Sequence, residues 1–142
     1  MRNNLVIAGD TFQDERGEMR FFNSLNMNEI VRFYEISPAN QDIIRGWQGH
    51  QHEKKWFYCL SGGFVINIIE INDFNRPSED LTPIRVELES SNPRILAVPG
   101  GFVTAIRATS NNARLQVFSN AALNDSKNDD FRFPIDQWSA EW

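Results

Sequence analysis

The sequence predicts an all-β domain of the jelly-roll barrel type, with a short helical tail at the carboxyl end. Three observations lead there. Apolar residues recur in short runs, the runs are rich in β-branched and aromatic residues, and turn-forming Gly, Pro and Asn close them. Several short strands so spaced indicate a sandwich or barrel, and closing the sheet removes exposed edges.

In chain order the runs are Ile30 to Ile36, Trp56 to Leu60, Phe64 to Ile71, Ile84 to Leu88, Arg94 to Val98, Phe102 to Ala105 and Leu115 to Phe118. Phe64-Val65-Ile66-Asn67-Ile68-Ile69-Glu70-Ile71 is the clearest, since β-branched residues dominate it and its length suits a strand. Ser61-Gly62-Gly63, Asn92-Pro93, Pro99-Gly100-Gly101 and Ser110-Asn111-Asn112 supply the turns. Helix is scarce: a turn is expected near Asn26 to Ile30 and the helical tail from Pro134 to Trp138. Asn72 to Pro83 is polar, carries two prolines and reads as an exposed loop. The charged stretch Asn124 to Asp130 reads as solvated surface.

The 142 residues suit one domain over 1–142, and 41% hydrophobic content with eleven Phe and four Trp is ample for a core. A net charge of -5 argues against a nucleic-acid binder, which needs Lys and Arg to neutralise phosphates. A small anionic ligand needs only a few local cations. No apolar run approaches the roughly 20 residues of a membrane span, and Met1 to Asp10 is a poor signal peptide. A single cysteine, Cys59, makes no internal disulfide, so a reduced cytoplasmic setting is expected.

One stretch is dense in chemistry: Arg45-Gly46-Trp47-Gln48-Gly49-His50-Gln51-His52-Glu53-Lys54-Lys55, followed by Trp56 to Gly62. It holds both histidines of the chain. On a regular strand Gln48, His50 and His52 share one face and Glu53 turns away. Arg45 would begin the strand, and Lys55 would follow a turn or bulge. A hairpin with its polar residues in water fits the spacing equally well. A metal centre needs three or four ligands; His-x-His gives two and no third histidine exists, so no metal or other cofactor is expected. Cys59 sits in the apolar run Trp56 to Leu60 and reads as core, not nucleophile. Proton transfer at carbon beside a carbonyl needs a base titrating near neutrality and cations for the enolate oxygen. A histidine with Arg45 or Lys55 supplies both.

Several islands of the chain, in shared order and spacing, resemble the cupin-fold sugar-nucleotide isomerases, the dTDP-4-dehydrorhamnose 3,5-epimerases and dTDP-4-keto-6-deoxyhexose 3,4-ketoisomerases. Asp14-Glu15-Arg16-Gly17 is similar to the epimerases' Asp-x-Arg-Gly, Arg45-Gly46 to the Arg-Gly that introduces the catalytic histidine, Lys55 to Gly62 to the Lys-Leu-Val-x-x-x-x-Gly strand, and Val98 to Phe102 to the Pro-x-Gly-Phe turn. The resemblance implies a cupin barrel, a nucleotide-sugar ligand (dTDP above all), metal-free isomerase or epimerase chemistry in deoxysugar and polysaccharide biosynthesis, and a homodimer. It implies His50 as base, with His52 as the fallback, and Arg45 and Lys55 stabilising the enolate or holding diphosphate. Arg16 with Phe21 or Phe22 would hold diphosphate and base.

Three departures stand against the full pattern. Gln48 occupies the first histidine position, Thr104 replaces the histidine after the Pro-x-Gly-Phe turn, and Leu115 to Asn120 carries no tyrosine acid. Tyr34, on the strand before Arg45, is the substitute acid if its ring faces inward; a rim tyrosine is the other reading. A single proton relocation asks less of such a site than double epimerisation. The departures also suit a non-catalytic sugar-nucleotide-binding cupin, and one stoichiometric bound metal would point to a metal-dependent cupin instead.

Overall fold

Twelve strands and one α-helix follow one another in the computed structural model, which describes residues 5–142. They are β1 (Val6–Ala8), β2 (Asp10–Asp14), β3 (Gly17–Phe21), β4 (Arg32–Ile36), β5 (Ile44–His50), β6 (Lys55–Ser61), β7 (Gly63–Glu70), β8 (Ile84–Glu89), β9 (Arg94–Val98), β10 (Phe102–Ala108), β11 (Arg114–Ser119), α1 (Leu123–Lys127) and β12 (Phe131–Arg132). All pairings are antiparallel. One five-stranded sheet runs β1-β9-β6-β11-β4, the other runs β12-β5-β10-β7-β8, and β2-β3 form a ribbon of their own. This is the predicted all-β jelly roll. No helix among the described residues is long and apolar enough to cross a membrane.

Strand alternation decides which residues meet between the sheets. On β6, Phe57 and Cys59 enter the main core; on β9, Leu96 and Val98; on β7, Phe64, Ile66 and Ile68. Their neighbours point the other way. Trp56 and Tyr58 join Ile95, Ala97, Phe22, Leu25 and Ile30 in a second cluster on the outer face of the first sheet. Trp47, Ile69, Val103 and Ala105 lie on the outer face of the second sheet, beneath Trp138, Phe131 and Phe133 of the tail. Phe64 to Ile69 is therefore covered on both faces, which is why that run is apolar apart from Asn67.

Cys59 is buried, as expected. Burial pushes its thiol up to about 11. The tail keeps its single helical turn, a 3-10 turn at Ile135–Gln137, and Ile30 N–H closes the turn on Met27 O at 3.1 Å. Two parts differ from expectation. The 72–83 loop anchors Phe74 and Leu81 in the outer cluster, and its Ser78 carbonyl accepts the Trp138 indole N–H at 2.9 Å. The acidic stretch 124–130 forms most of α1 and then turns its last residues inward, with consequences given below.

A candidate active-site cleft between the sheets

β5 and β10 pair with a bulge: Phe102 faces His50 and Thr104 faces Gln48, but Ile106 faces Arg45, so β5 carries one extra residue. The bulge resets the alternation. Without it Gly46 would follow Gln48 on the inner face; with it Arg45 does. Gly49, between Gln48 and His50, lies so close to β10 that a Cβ there would run into the Phe102 carbonyl and Val103. The two strands can approach this tightly because that residue is glycine.

The inner faces of β4, β5, β6 and β10 line a cleft with two adjoining compartments. One is walled by Gln48, His50, Glu53, Lys55 and Thr104; the other by Tyr34, Arg45, Gln48, Lys55 and Thr104. Gln48, Lys55, Phe57 and Thr104 line both, so the two adjoin. Six of the ten residues singled out in the sequence therefore meet here: Tyr34, Arg45, Gln48, His50, Lys55 and Thr104.

The remaining four do not. β5 ends at His50, and Gln51-His52 form an exposed bend, so His52 does not share the His50 face. Arg16 is at the tip of the β2-β3 ribbon, ion-paired to Asp14 at 2.6 Å and 79% exposed. Phe22 packs edge-on against Tyr58, ring centres 5.3 Å apart, on the outer face of the first sheet. Phe21, at the end of β3, lines neither compartment. With His52 in solvent the chain offers no histidine pair, and among the described residues no three His, Cys, Asp or Glu side chains gather as a metal site.

His50 is the best-defined group in the cleft. It is 5% exposed, and its Nδ1 meets the main-chain carbonyl of Asp129 in a short hydrogen bond. A carbonyl only accepts, so Nδ1 carries the proton and Nε2, across the ring, carries the lone pair. Nε2 has no hydrogen-bond partner among the described residues. Burial, then the positive charge of Lys55, push the imidazole below its ordinary value, against the Asp129 carbonyl and the Glu53 and Asp129 charges. It is thus neutral near pH 7, with a free basic nitrogen.

That shift predicts a measurement. An NMR titration of His50 should give a midpoint below ~6.5, the ordinary histidine value. Lys55→Met, which removes a cation, should move the midpoint upward. The unfolded chain protonates first as pH falls, so this residue's contribution to stability is complete above ~6.5 and is lost between there and the folded midpoint. A midpoint at or above 6.5 in the parent protein would remove the burial argument.

Two residues of the site escaped sequence reasoning. Glu53, expected to turn away, is buried at 4% exposure because the chain bends at Gln51-His52 and is no longer a strand. Its Oε1 lies 3.5 Å from His50 Nδ1; its Oε2 accepts from Ser119 Oγ at 2.6 Å and from Arg32 at 3.2 Å. Burial pushes this carboxyl up, but hydrogen bonds from Ser119 and Ser126 and the charges of His50 and Lys55 hold it below the usual value. Asp129 was read as solvated surface. Its carboxylate instead accepts the N–H groups of Gln51, His52 and Glu53 at 2.8, 2.9 and 3.0 Å, while its carbonyl orients His50. One residue clamps the whole bend. Its neighbour Asp130 accepts from Gln48 Nε2 at 3.1 Å.

Tyr34 does face inward: Lys55 Nζ sits 5.8 Å and the Arg32 guanidinium 5.4 Å from its ring centre. Arg45 is exposed at the rim and makes no ion pair with any described residue. Arg32 is paired to Glu53, so Arg45 and Lys55 are the cations of the cleft without a carboxylate partner among the described residues.

No family model matches the chain, and no curated protein matches it in sequence. Solved structures do match in fold. A 3,4-ketoisomerase from Helicobacter canadensis shares 21% identity over 90% of this chain and 89% of that one, with a TM-score of 0.69. A 3,4-ketoisomerase from Thermoanaerobacterium thermosaccharolyticum, solved in complex with TDP, shares 19% identity over 96% and 93%, with a TM-score of 0.73. A dTDP-6-deoxy-D-glucose-3,5-epimerase from Legionella pneumophila, in complex with dTDP-4-keto-L-rhamnose, shares 18% identity over 96% and 77%, with a TM-score of 0.76. These are the two enzyme groups the sequence motifs resemble, and the likeness is one of fold.

Proposed function

We propose that this chain, a single domain over 1–142, is an epimerase or ketoisomerase acting on a nucleotide-linked 4-keto-6-deoxy sugar, with dTDP as the nucleotide. The observation that carries the reading is His50, a buried neutral imidazole whose tautomer leaves Nε2 free in a cleft that also holds Lys55 and Arg45. Nε2 removes the proton on the carbon next to the ketone. Lys55 and Arg45 stabilise the enolate oxygen and hold the diphosphate, and Tyr34 returns a proton in this reading. Gln48 and Thr104 contact the sugar hydroxyls.

The cellular reading is cytoplasmic synthesis of deoxysugars for surface polysaccharide, by a homodimer. A dimer would give Arg16 and Phe21 a use that one chain does not. The β2-β3 ribbon bears exposed Phe12 and Met19 in register with each other, and a two-stranded ribbon is marginal alone. The non-catalytic alternative has no reason to keep a basic nitrogen buried and unpartnered, which costs about 1–3 kcal/mol.

The test is solvent-deuterium uptake. The protein with dTDP-4-keto-6-deoxyglucose in D₂O should place deuterium on carbon beside the ketone. Binding without any uptake would establish the non-catalytic cupin and end the enzyme reading.

A further inference from the structure

Gln48 is the cleft residue whose polarity the fold decides. Its Nε2 donates to Asp130 Oδ1 at 3.1 Å. The two ends of an amide are told apart by their partners, and a carboxylate only accepts, so the NH₂ end faces Asp130. That carboxylate is ionised: burial pushes it up, but hydrogen bonds from Gln48 and Arg132 and the charges of Arg132 and His50 hold it below the usual value. Arg132 also fixes its place, with Nε 3.2 Å from Asp130 Oδ2. The amide nitrogen is thereby committed, and Gln48 Oε1 receives a hydrogen bond from no described residue. Gln48 walls both compartments of the cleft. Thr104 stands opposite it on β10, but a hydroxyl donates or accepts as required and fixes no polarity. The oriented group is therefore a carbonyl acceptor.

The place of that acceptor along β5 says what it meets. The inner face carries Arg45, Gln48 and His50 in that order. In the reading above Arg45 holds the diphosphate, which is attached to C1 of the sugar, and His50 acts at the carbon beside the C4 ketone. With His50 at C3, the carbon between the two is C2, and it bears a hydroxyl. We propose that Gln48, its amide oriented by Asp130, accepts a hydrogen bond from the C2 hydroxyl and makes the site select 2-hydroxy over 2-deoxy sugar nucleotides. The proposal rests on the reading above and deepens it. Asp130 is then a positioning residue.

A site built to bond a hydroxyl rejects the analogue that lacks it, because the acceptor is left unpaired. Gln48 is only half-buried, so water replaces part of the lost bond. The preference should accordingly be about 3–10-fold, the worth of one hydrogen bond, and not the far larger factor of a sealed pocket.

The experiment is calorimetric and needs no turnover. dTDP-6-deoxyglucose, which has no ketone to react, is compared with its 2-deoxy and 2-deoxy-2-fluoro analogues. The parent should bind both analogues about 3–10-fold more weakly, since fluorine accepts but does not donate. In Gln48→Met the preference should fall to within about twofold, the bond being absent. Asp130→Asn should lower it too, because an asparagine meets either end of the Gln48 amide and no longer orients it. Binding of dTDP reports that each variant is folded. A merely structural role would weaken all three ligands alike and keep the preference. Equal binding of the three ligands by the parent, or a preference that survives Gln48→Met, would overturn the proposal. So would a fluoro analogue that binds as well as the hydroxyl sugar, since Gln48 would then be donating. A preference unchanged in Asp130→Asn would overturn the orienting role. Failure of the parent to bind dTDP or dTDP-6-deoxyglucose sinks the underlying reading instead, a result distinct from all of these.

Discussion

His50→Gln should lower carbon-bound deuterium uptake by about 10²–10⁴-fold while leaving the protein folded. The variant is chosen because a glutamine amide keeps an N–H for the Asp129 carbonyl but has no basic lone pair. The loss is then one of proton transfer. The structural cost should not exceed the net worth of one hydrogen bond, about 0.5–1.5 kcal/mol in a urea melt. Ligand affinity should change little, since Arg45 and Lys55 carry the anionic contacts in this reading. The pH dependence supports the same assignment. In the parent protein the acid limb of kcat/KM reports the free histidine, whose midpoint burial and Lys55 hold down, so the limb belongs below ~6.5. In His50→Gln that limb should disappear from the residual rate. Full uptake by a folded variant would remove His50 from the chemistry. His52, exposed on the bend, would not inherit the role, because nothing in the structure turns it into the cleft.

Much of the architecture was legible because alternation and turn residues are local signals. Phe64 to Glu70 is a strand in both readings, and Gly62 (φ +70°) and Gly101 (φ +95°) mark turns that the Gly pairs announced. The inward cluster of Arg45, Gln48 and His50 was legible as a group, though its register depends on a bulge that spacing does not reveal. The sequence stopped being informative where the chain leaves the strand. Extending period-2 alternation past His50 put His52 inside and Glu53 outside, and the bend at Gln51-His52 reverses both. That bend holds because Asp129 receives three successive N–H groups, and Asp129 lies 78 residues from Gln51. Acid-rich segments usually do face water, so composition pointed the wrong way. The only signal available was indirect: three consecutive turn amides beside a buried histidine require an acceptor.

The largest expected effect on stability comes from outside the cleft. Trp138→Ala should cost about 3–5 kcal/mol, against a total of about 5–15 kcal/mol for a domain of this kind. Trp138 is 3% exposed, packs edge-on against Trp47 and Phe133 at 5.6 and 5.4 Å, and donates its indole N–H to Ser78. Removing it leaves a cavity between the tail and the second sheet and an unmatched carbonyl on the 72–83 loop. The consequence reaches the site, because the tail is continuous with Asp129. Phe131 and Arg132 pair with Gly49 and Gln48, Phe133 N–H donates to Trp47 O at 2.9 Å, and Asp129 at the near end orients His50 and clamps the bend. A loosened tail would free the imidazole to rotate or change tautomer. Measured below its melting transition, the folded variant should therefore lose turnover beyond any loss of native fraction, and the His50 titration should move toward ~6.5 as water enters. A urea midpoint within error of the parent would show that Trp138 is not the anchor. A large destabilisation with an unshifted His50 midpoint would instead show that Asp129 stays in place through the strand pairing of 131–132 alone.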